Sequence, residues 1–429
     1  MRSVLAAFLA CSVVSSLVAQ TPTSVLTLEM AIERALEHPL ARAAAARARA
    51  TQADAGAERM NLWPQLNLAA TTNGGFSGSS AGLGITGMVN SPLRRTYGVG
   101  LEAKGTVWDF GRTWGHIRAG DAAAARVNAD ADVIRQDLTL EVARRYYMAL
   151  ADRAVLTASI ERVAAATALR DQIRALADAG VRPGAERDLA ELDLAAARSL
   201  QVEADAAAAS ARDRLLIFIG LNPAQPIEIA EREPLIAEAP TLDALFPTVG
   251  SRPELRGAQA AIDEAVARRQ AAQAEFSPTI VATGSLGYAN PPVGSDPGRW
   301  AAALGVSVPV FGGLRDPHRT RAADERVAEQ RARLEDTERT LTLELFQAYE
   351  SIKATRDAAG AYEEELQRAL SAAAATRASF QAGLLPFVDV ARANFAVADA
   401  RAKLAEARYR YAIARDELAR AAGVPMTSP

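Results

Sequence analysis

From Arg112 to Asp178 the chain runs through helix-forming residues with only Gly115 and Gly120 to interrupt them. Apolar side chains recur at Val133, Leu138, Val142, Tyr146 and Leu150, the spacing of one helical face. About 65 residues rising about 1.5 Å each make a rod near 100 Å. Helices of ordinary domains average about 11 residues, so a rod of this length cannot be enclosed by one globular core. A second such stretch spans Leu314 to Ala382. The segments Ala185 to Ile219 and Val388 to Ala422 return along them, which predicts two long antiparallel helical hairpins with Gly180 and Gly383 at their tips. Aromatic residues make up only 5% of the chain, and alanine fills runs such as 41 to 50 and 204 to 211. Alanine is the best helix former and lets helices approach closely, so this composition suits packed rods.

The two hairpins belong to two similar halves. Pro39 and Pro64 recur as Pro253 and Pro278, both 214 positions on (253 − 39 and 278 − 64). Asp109-Phe110-Gly111 recurs as Val310-Phe311-Gly312, 201 positions on (310 − 109). Gly180 and Gly220 recur as Gly383 and Gly423, both 203 positions on (383 − 180 and 423 − 220). The predicted organisation is a first repeat over 20–222, a connecting segment over 223–250 and a second repeat over 251–429. Each repeat carries a helix, a β-hairpin and a long helical hairpin. The β-hairpins are placed at about 64–110 and 278–311.

The strands are predicted from alternation. Tyr97, Val99, Leu101, Ala103, Gly105 and Val107 interleave with Gly98, Gly100, Glu102, Lys104 and Thr106. Leu66, Leu68 and Ala70 alternate with polar neighbours, as do Ile280, Ala282, Leu286 and Tyr288, then Trp300, Leu304, Val306 and Val308. The connections Asn73 to Pro92 and Asn290 to Pro297 are rich in turn formers. Strands of about 10 residues cross an outer membrane when tilted. Four strands cannot close, and an open sheet in lipid leaves backbone groups unpaired at several kcal/mol each. Three chains supply twelve strands and close one barrel, so a homotrimer is expected.

The start of the chain reads as a secretory signal over 1–19: Arg2, an apolar run from Val4 to Val18, then Ala19 before a polar stretch. Phe8-Leu9-Ala10-Cys11 also resembles a lipoprotein cleavage box, with too short an apolar run before it. Cys11 is the sole cysteine, so cleavage near Ala19 removes every thiol and with it disulfides, Cys-ligated metals and Cys nucleophiles. The formal charge of −3 provides no basic field for nucleic acid. His38, His116 and His318 lack metal-ligand spacing; His38 precedes Pro39 as a helix cap. Gly78-Ser79-Ser80-Ala81-Gly82 spells a nucleophile-elbow pattern without the strand-to-helix context, and Asp109-Phe110-Gly111 copies a kinase triplet without a phosphate loop. No enzyme and no cofactor are expected.

The order of these elements, with Leu26 to His38 (LTLEMAIERALEH), Trp63-Pro64-Gln65, Trp108 to Arg112 (WDFGR), Arg252 to Leu255 (RPEL), Pro309 to Gly313 (PVFGG) and Phe380 to Val390 (FQAGLLPFVDV), resembles the TolC-like outer-membrane efflux family over nearly the whole chain. The resemblance implies a mainly α fold with a β-barrel portion. Long helical hairpins form a trimeric periplasmic α-barrel, and four strands per protomer enter a shared twelve-stranded outer-membrane β-barrel. It further implies a duct that passes substrate outward from a periplasmic adaptor and an inner-membrane pump, with a middle band in Pro223 to Pro247 and Pro425 to Pro429. The alternative is a periplasmic coiled-coil tether without a channel, which predicts no membrane-insertable strands.

The family's constriction carries carboxylates six and nine residues beyond the second tip glycine, which are Asp389 and, in departure from the pattern, Arg392. Glu186 holds the sixth position in the first half. The basic residue expected two positions after the second tip glycine is Leu385, whereas the first half has Arg182. Asp389 and Arg392, three apart on one helix, are placed to pair locally. Gly180, Val181, Arg182, Ala382, Gly383 and Leu384 are the expected adaptor contacts.

Overall fold

The computed structural model describes residues 24–73, 96–234, 236–237, 240–290, 298–309 and 315–425. The expected signal peptide with Cys11, the Gly78–Gly82 pattern, Val310 to Gly313 and the last residues of the Pro425–Pro429 band lie outside these. The described residues begin with β1 (Ser24–Leu26), α1 (Leu28–Leu36) and α2 (Pro39–Met60), followed by the strands β2 (Gln65–Asn73) and β3 (Thr96–Trp108). The hairpin α3 (Arg112–Asp178) and α4 (Gly184–Phe218) comes next. The connecting segment holds β4 (Ile227–Ile229), α5 (Leu242–Leu245) and a 3-10 turn at Phe246–Ser251. The second repeat then supplies α6 (Pro253–Ala274), β5 (Thr279–Asn290), β6 (Gly298–Ser307), α7 (Arg315–Gln381) and α8 (Phe387–Ala422).

The duplication is as plain in the helices as in the letters. Both long helices have 67 residues, both short ascending helices 22, and the returning helices 35 and 36. Pro39 and Pro253 each open a helix, where a missing N–H costs nothing. His38 caps α2 by accepting from the Leu40 amide at 3.2 Å through Nδ1, and stacks on Phe218. Its counterpart Arg252 instead enters the interior and pairs with Glu254 and Glu344. Strand register holds the same relation: Gln65 faces Lys104 in the first hairpin and Thr279 faces Ser307 in the second, so β2 leads to β5 by 214 (279 − 65) and β3 to β6 by 203 (307 − 104). The expected match of Asp109–Gly111 to Val310–Gly312 at 201 is therefore two positions out of step with the strands before it and the helices after it.

Helix α3 packs on α2, α4, α6 and α8, and α7 on α6 and α8. Gly115 and Gly120 do not break α3. A Cβ at Gly115 would lie 2.8 Å from that of Ala271 and 2.9 Å from its backbone nitrogen, so the missing side chain sets how closely α3 and α6 meet. Midway along the rods β1 pairs in parallel with β4, and Leu26, Ile227 and Ile229 cover Val142, Tyr146 and Leu150. Tyr146 donates its hydroxyl to the Ala230 carbonyl at 2.8 Å, and Tyr411 donates to that of Ala237 at 2.7 Å. Two tyrosines thus pin the connecting segment across the helices by its own backbone.

Candidate functional site

The four strands form one antiparallel sheet in the order β2-β3-β5-β6. Successive side chains point to opposite faces, so the register sorts them. One face aligns Leu68, Leu101, Leu286 and Trp300, with Leu66, Ala103, Gly284 and Ala302 in the next row. The other aligns Asn67, Glu102 and Ser285, then Gln65, Lys104 and Thr283. The apolar face is uncovered: Leu68 is 74% and Trp300 78% exposed. A sheet of this kind, apolar outward and polar inward, suits lipid on one side and water on the other. No helix among the described residues is long and apolar enough to cross a membrane. Among the described residues strands β2 and β6 are paired on one side only, which leaves two open edges.

The sheet passes into the rods through Trp108 to Arg112. A register shift between Thr106 and Trp108 ends the ladder. Phe110 then takes φ +53° and Gly111 φ +94°, two successive left-handed residues that turn the chain from strand to helix. A β-carbon resists that region, and Asp109 holds the turn in place. Its buried carboxylate accepts from the amides of Gly111 at 3.2 Å and Thr113 at 2.8 Å and from the Thr113 hydroxyl at 2.5 Å. The triplet that spells a kinase motif is thus the N-terminal cap of α3. Trp108, Phe110 and Trp114 stay half exposed around it, where aromatic side chains favour a membrane interface.

At the opposite end both tips close in the same way. Gly180 has φ +74° and Gly383 φ +76°. The next amides, of Val181 and Leu384, reach back to the carbonyls of Leu176 and Ser379, each at 2.9 Å. This geometry satisfies the last carbonyls of α3 and α7 and needs a residue free to adopt positive φ. Val181 and Leu384 project outward, 66% and 76% exposed, and Ala382 is also exposed. The tips are joined to each other: Phe380, Phe387 and Val390 pack against Leu169, Ile173 and Ala190. Arg182 lies 5.2 Å from the Phe380 ring centre and 3.6 Å from the carboxylate of Glu186.

Glu186 and Asp389 stand in the first turns of α4 and α8, where the helix dipole favours an acid. Asp389 and Arg392, which their spacing allows to meet, form no ion pair with one another; Arg392 is exposed and Asp389 partly covered. Among the described residues no group of His, Cys, Asp or Glu could hold a metal ion.

A model of the outer membrane efflux protein family matches residues 31–221 and 248–424. The chain belongs to that family. It is therefore an outer-membrane efflux channel and not an enzyme, placed in the outer membrane and reaching into the periplasm. The chain is 28% identical over 328 residues to the protein CyaE of Bordetella pertussis, covering 74% of this chain and 67% of the relative. Its fold is similar to that of the outer membrane protein VceC of Vibrio cholerae, with TM-score 0.78, 19% identity and coverage of 93% and 97%. It is also similar to the open state of the outer-membrane channel MtrE of Neisseria gonorrhoeae, with TM-score 0.76, 22% identity and coverage of 93% and 89%. Membership of that channel family removes the coiled-coil tether alternative.

Sequence reasoning missed two features. The β1–β4 pair has three residues a side, too few for alternation to register. The Arg182 contact with Phe380 joins positions on separate hairpins, and no local pattern announces it.

Proposed function

We propose that this channel is a homotrimeric exit duct that takes substrate from an inner-membrane pump and a periplasmic adaptor to the exterior. Three copies join their open β2 and β6 edges into a twelve-stranded barrel, and their rods continue it as an α-barrel through the periplasm. The observation that carries this reading is the four-stranded sheet, whose apolar face is bare and whose two edges lack partners among the described residues. In lipid each unpaired edge group would cost several kcal/mol, and closure by identical copies removes all of them. The repeats over 20–222 and 251–429 then alternate around the axis, with 223–250 as the middle band.

In this reading Glu186, Asp389 and Arg392 line the periplasmic constriction. Gly180, Val181, Arg182, Ala382, Gly383 and Leu384 form the surface that meets the adaptor, with Val181 and Leu384 as its apolar anchors. The test is to purify the protein in detergent, determine its mass by light scattering, and reconstitute it in a planar bilayer. A trimer with discrete conductance steps is the expected result. A folded monomer that inserts and conducts, or a trimer without conductance, would overturn the duct.

A further inference from the structure

The duplication relates surfaces within one chain to surfaces between copies. In the chain α3 of the first repeat packs on α6 of the second, and β3 pairs with β5. Around a ring of repeats, the next such junction joins α7 and β6 of one copy to α2 and β2 of the following copy. These are the edges left open: β6 and β2 border the sheet, and the helices α7 and α2 that adjoin them carry long exposed faces.

Partners at that seam follow by carrying each in-chain pair to its equivalents, adding 203 on α3 or β3 and subtracting 214 on α6 or β5. In the sheet the pair Lys104 and Thr283 becomes Ser307 facing Ala69. Between helices the small-residue contact of Ala129 with Gly257 becomes Ala332 against Ala43, again small on small. The ion pair of Asp132 with Arg256, 3.2 Å in the chain, becomes Glu335 with Arg42. Both charges keep their sign, although the acid is Asp in one pair and Glu in the other. Arg42 is exposed and makes no ion pair within the described chain. Glu335 is exposed and, among the described residues, meets only Arg339, one turn away at 3.6 Å.

We infer that Glu335 on α7 of one copy pairs with Arg42 on α2 of the next, and that this contact fixes the register of the seam between copies. The inference rests on the trimer proposed above, and a second copy of this chain is its partner. The strand and helix equivalences give one consistent register, so a slip of the α2–α7 seam would also displace the ladder between β6 and β2. An exposed pair of this kind changes an association equilibrium only a few-fold, so its position is a better readout than its strength.

The test is cross-linking in a Cys11→Ser background, which has no other thiol. Packed helix axes about 8–10 Å apart are too distant for a direct disulfide here, so a short bismaleimide is used. The variant Arg42→Cys/Glu335→Cys should give covalent trimers in denaturing gels. Arg42→Cys/Arg326→Cys, displaced by nine residues or about 13 Å along the helix, should not. In parallel, Arg42→Glu should lower the trimer fraction a few-fold and Arg42→Glu/Glu335→Arg should restore it. If the protein is trimeric and the displaced pair cross-links while the first does not, or neither does, the seam is wrong while the duct stands. A parent protein that is monomeric in detergent and lipid overturns the duct, and the seam with it.

Discussion

Replacing Arg252 by Met tests how the second repeat is held to the long helices. The Arg252 side chain is fully buried and donates to Glu254 at 2.6 Å and Glu344 at 2.8 Å. Arg420 completes the cluster, 3.2 Å from Glu254 and 3.7 Å from Glu344, and also pairs with Asp137. Taking one partner from a fully buried pair costs about 3–5 kcal/mol, because the other charge stays desolvated. Glu344 is well exposed and Arg420 remains beside both acids, so about 2 kcal/mol is the expected loss per chain. The measure is urea unfolding followed by circular dichroism, at equal protein concentration because assembly adds to apparent stability. The pH dependence gives a second readout. Burial raises the Glu254 carboxyl, but the hydrogen bonds and charge of Arg252, with Arg420 beyond, more than reverse this and hold it below its ordinary value. A carboxyl lowered in the folded state contributes stability above its unfolded pKa of about 4.5 and loses it as pH falls through the folded value. The deficit of the Met variant should therefore be full at pH 7 and shrink below about pH 4.5. A loss under about 0.5 kcal/mol at pH 7, or a deficit unchanged in acid, would refute the reasoning.

Gly383→Ala should cost about 1–2 kcal/mol through its φ of +76° alone, since nothing lies near the added methyl group; faster proteolysis at the second tip would report it. Tyr146→Phe should cost about 1 kcal/mol by leaving the Ala230 carbonyl without its 2.8 Å donor, measured by the same unfolding assay. Val181→Asp with Leu384→Asp should abolish export while trimers persist in gels, and unchanged export would reduce both residues to turn formers. Arg392→Ala should raise cation selectivity and divalent block in single-channel recordings if Arg392 faces the lumen; no change in either would place it outside the pore.

The rods were legible because a helix 67 residues long leaves no room for another reading of its composition. The sheet was legible because lipid on one face and water on the other enforce strict alternation, as Leu66 to Leu68 and Leu101 to Ala103 show. The duplication was legible from prolines and glycines, whose backbone demands survive when side chains diverge: four helices end on Gly180, Gly220, Gly383 and Gly423, with φ between 72° and 76°. The strands before Phe110-Gly111 and the helices after it keep a 203 relation, whereas the letters Phe110-Gly111 and Phe311-Gly312 align at 201, and the second pair lies outside the described residues. Local spacing also suggested that Asp389 would meet Arg392, but neighbouring helices decide where a side chain on α8 turns. The ion pair that does form at a tip, Arg182 with Glu186, is positioned by Phe380 from the other hairpin.

That difference between the tips shapes the proposed constriction. Glu186 and Asp389 are equivalents under the 203 relation (389 − 186), so the trimer proposed above would place six carboxylates around one axis, alternating between repeats. Their cations are not equivalent. Arg182 accompanies Glu186 in the first repeat, while its counterpart is Leu385; Arg392 accompanies the second repeat, and its counterpart is Leu189. Every other carboxylate is therefore already paired within its own hairpin, at 3.6 Å and against the Phe380 face. One oxygen of Glu186 is buried without a hydrogen bond, so that pairing leaves half of the carboxylate unanswered. Asp389 meets no such cation among the described residues of its own chain, and in the proposed constriction three like charges around a narrow axis would repel more strongly than they do at a surface. Repulsion among them favours a wider ring, whereas the packing of Phe380, Phe387 and Val390 on the first hairpin holds the two tips of each copy together.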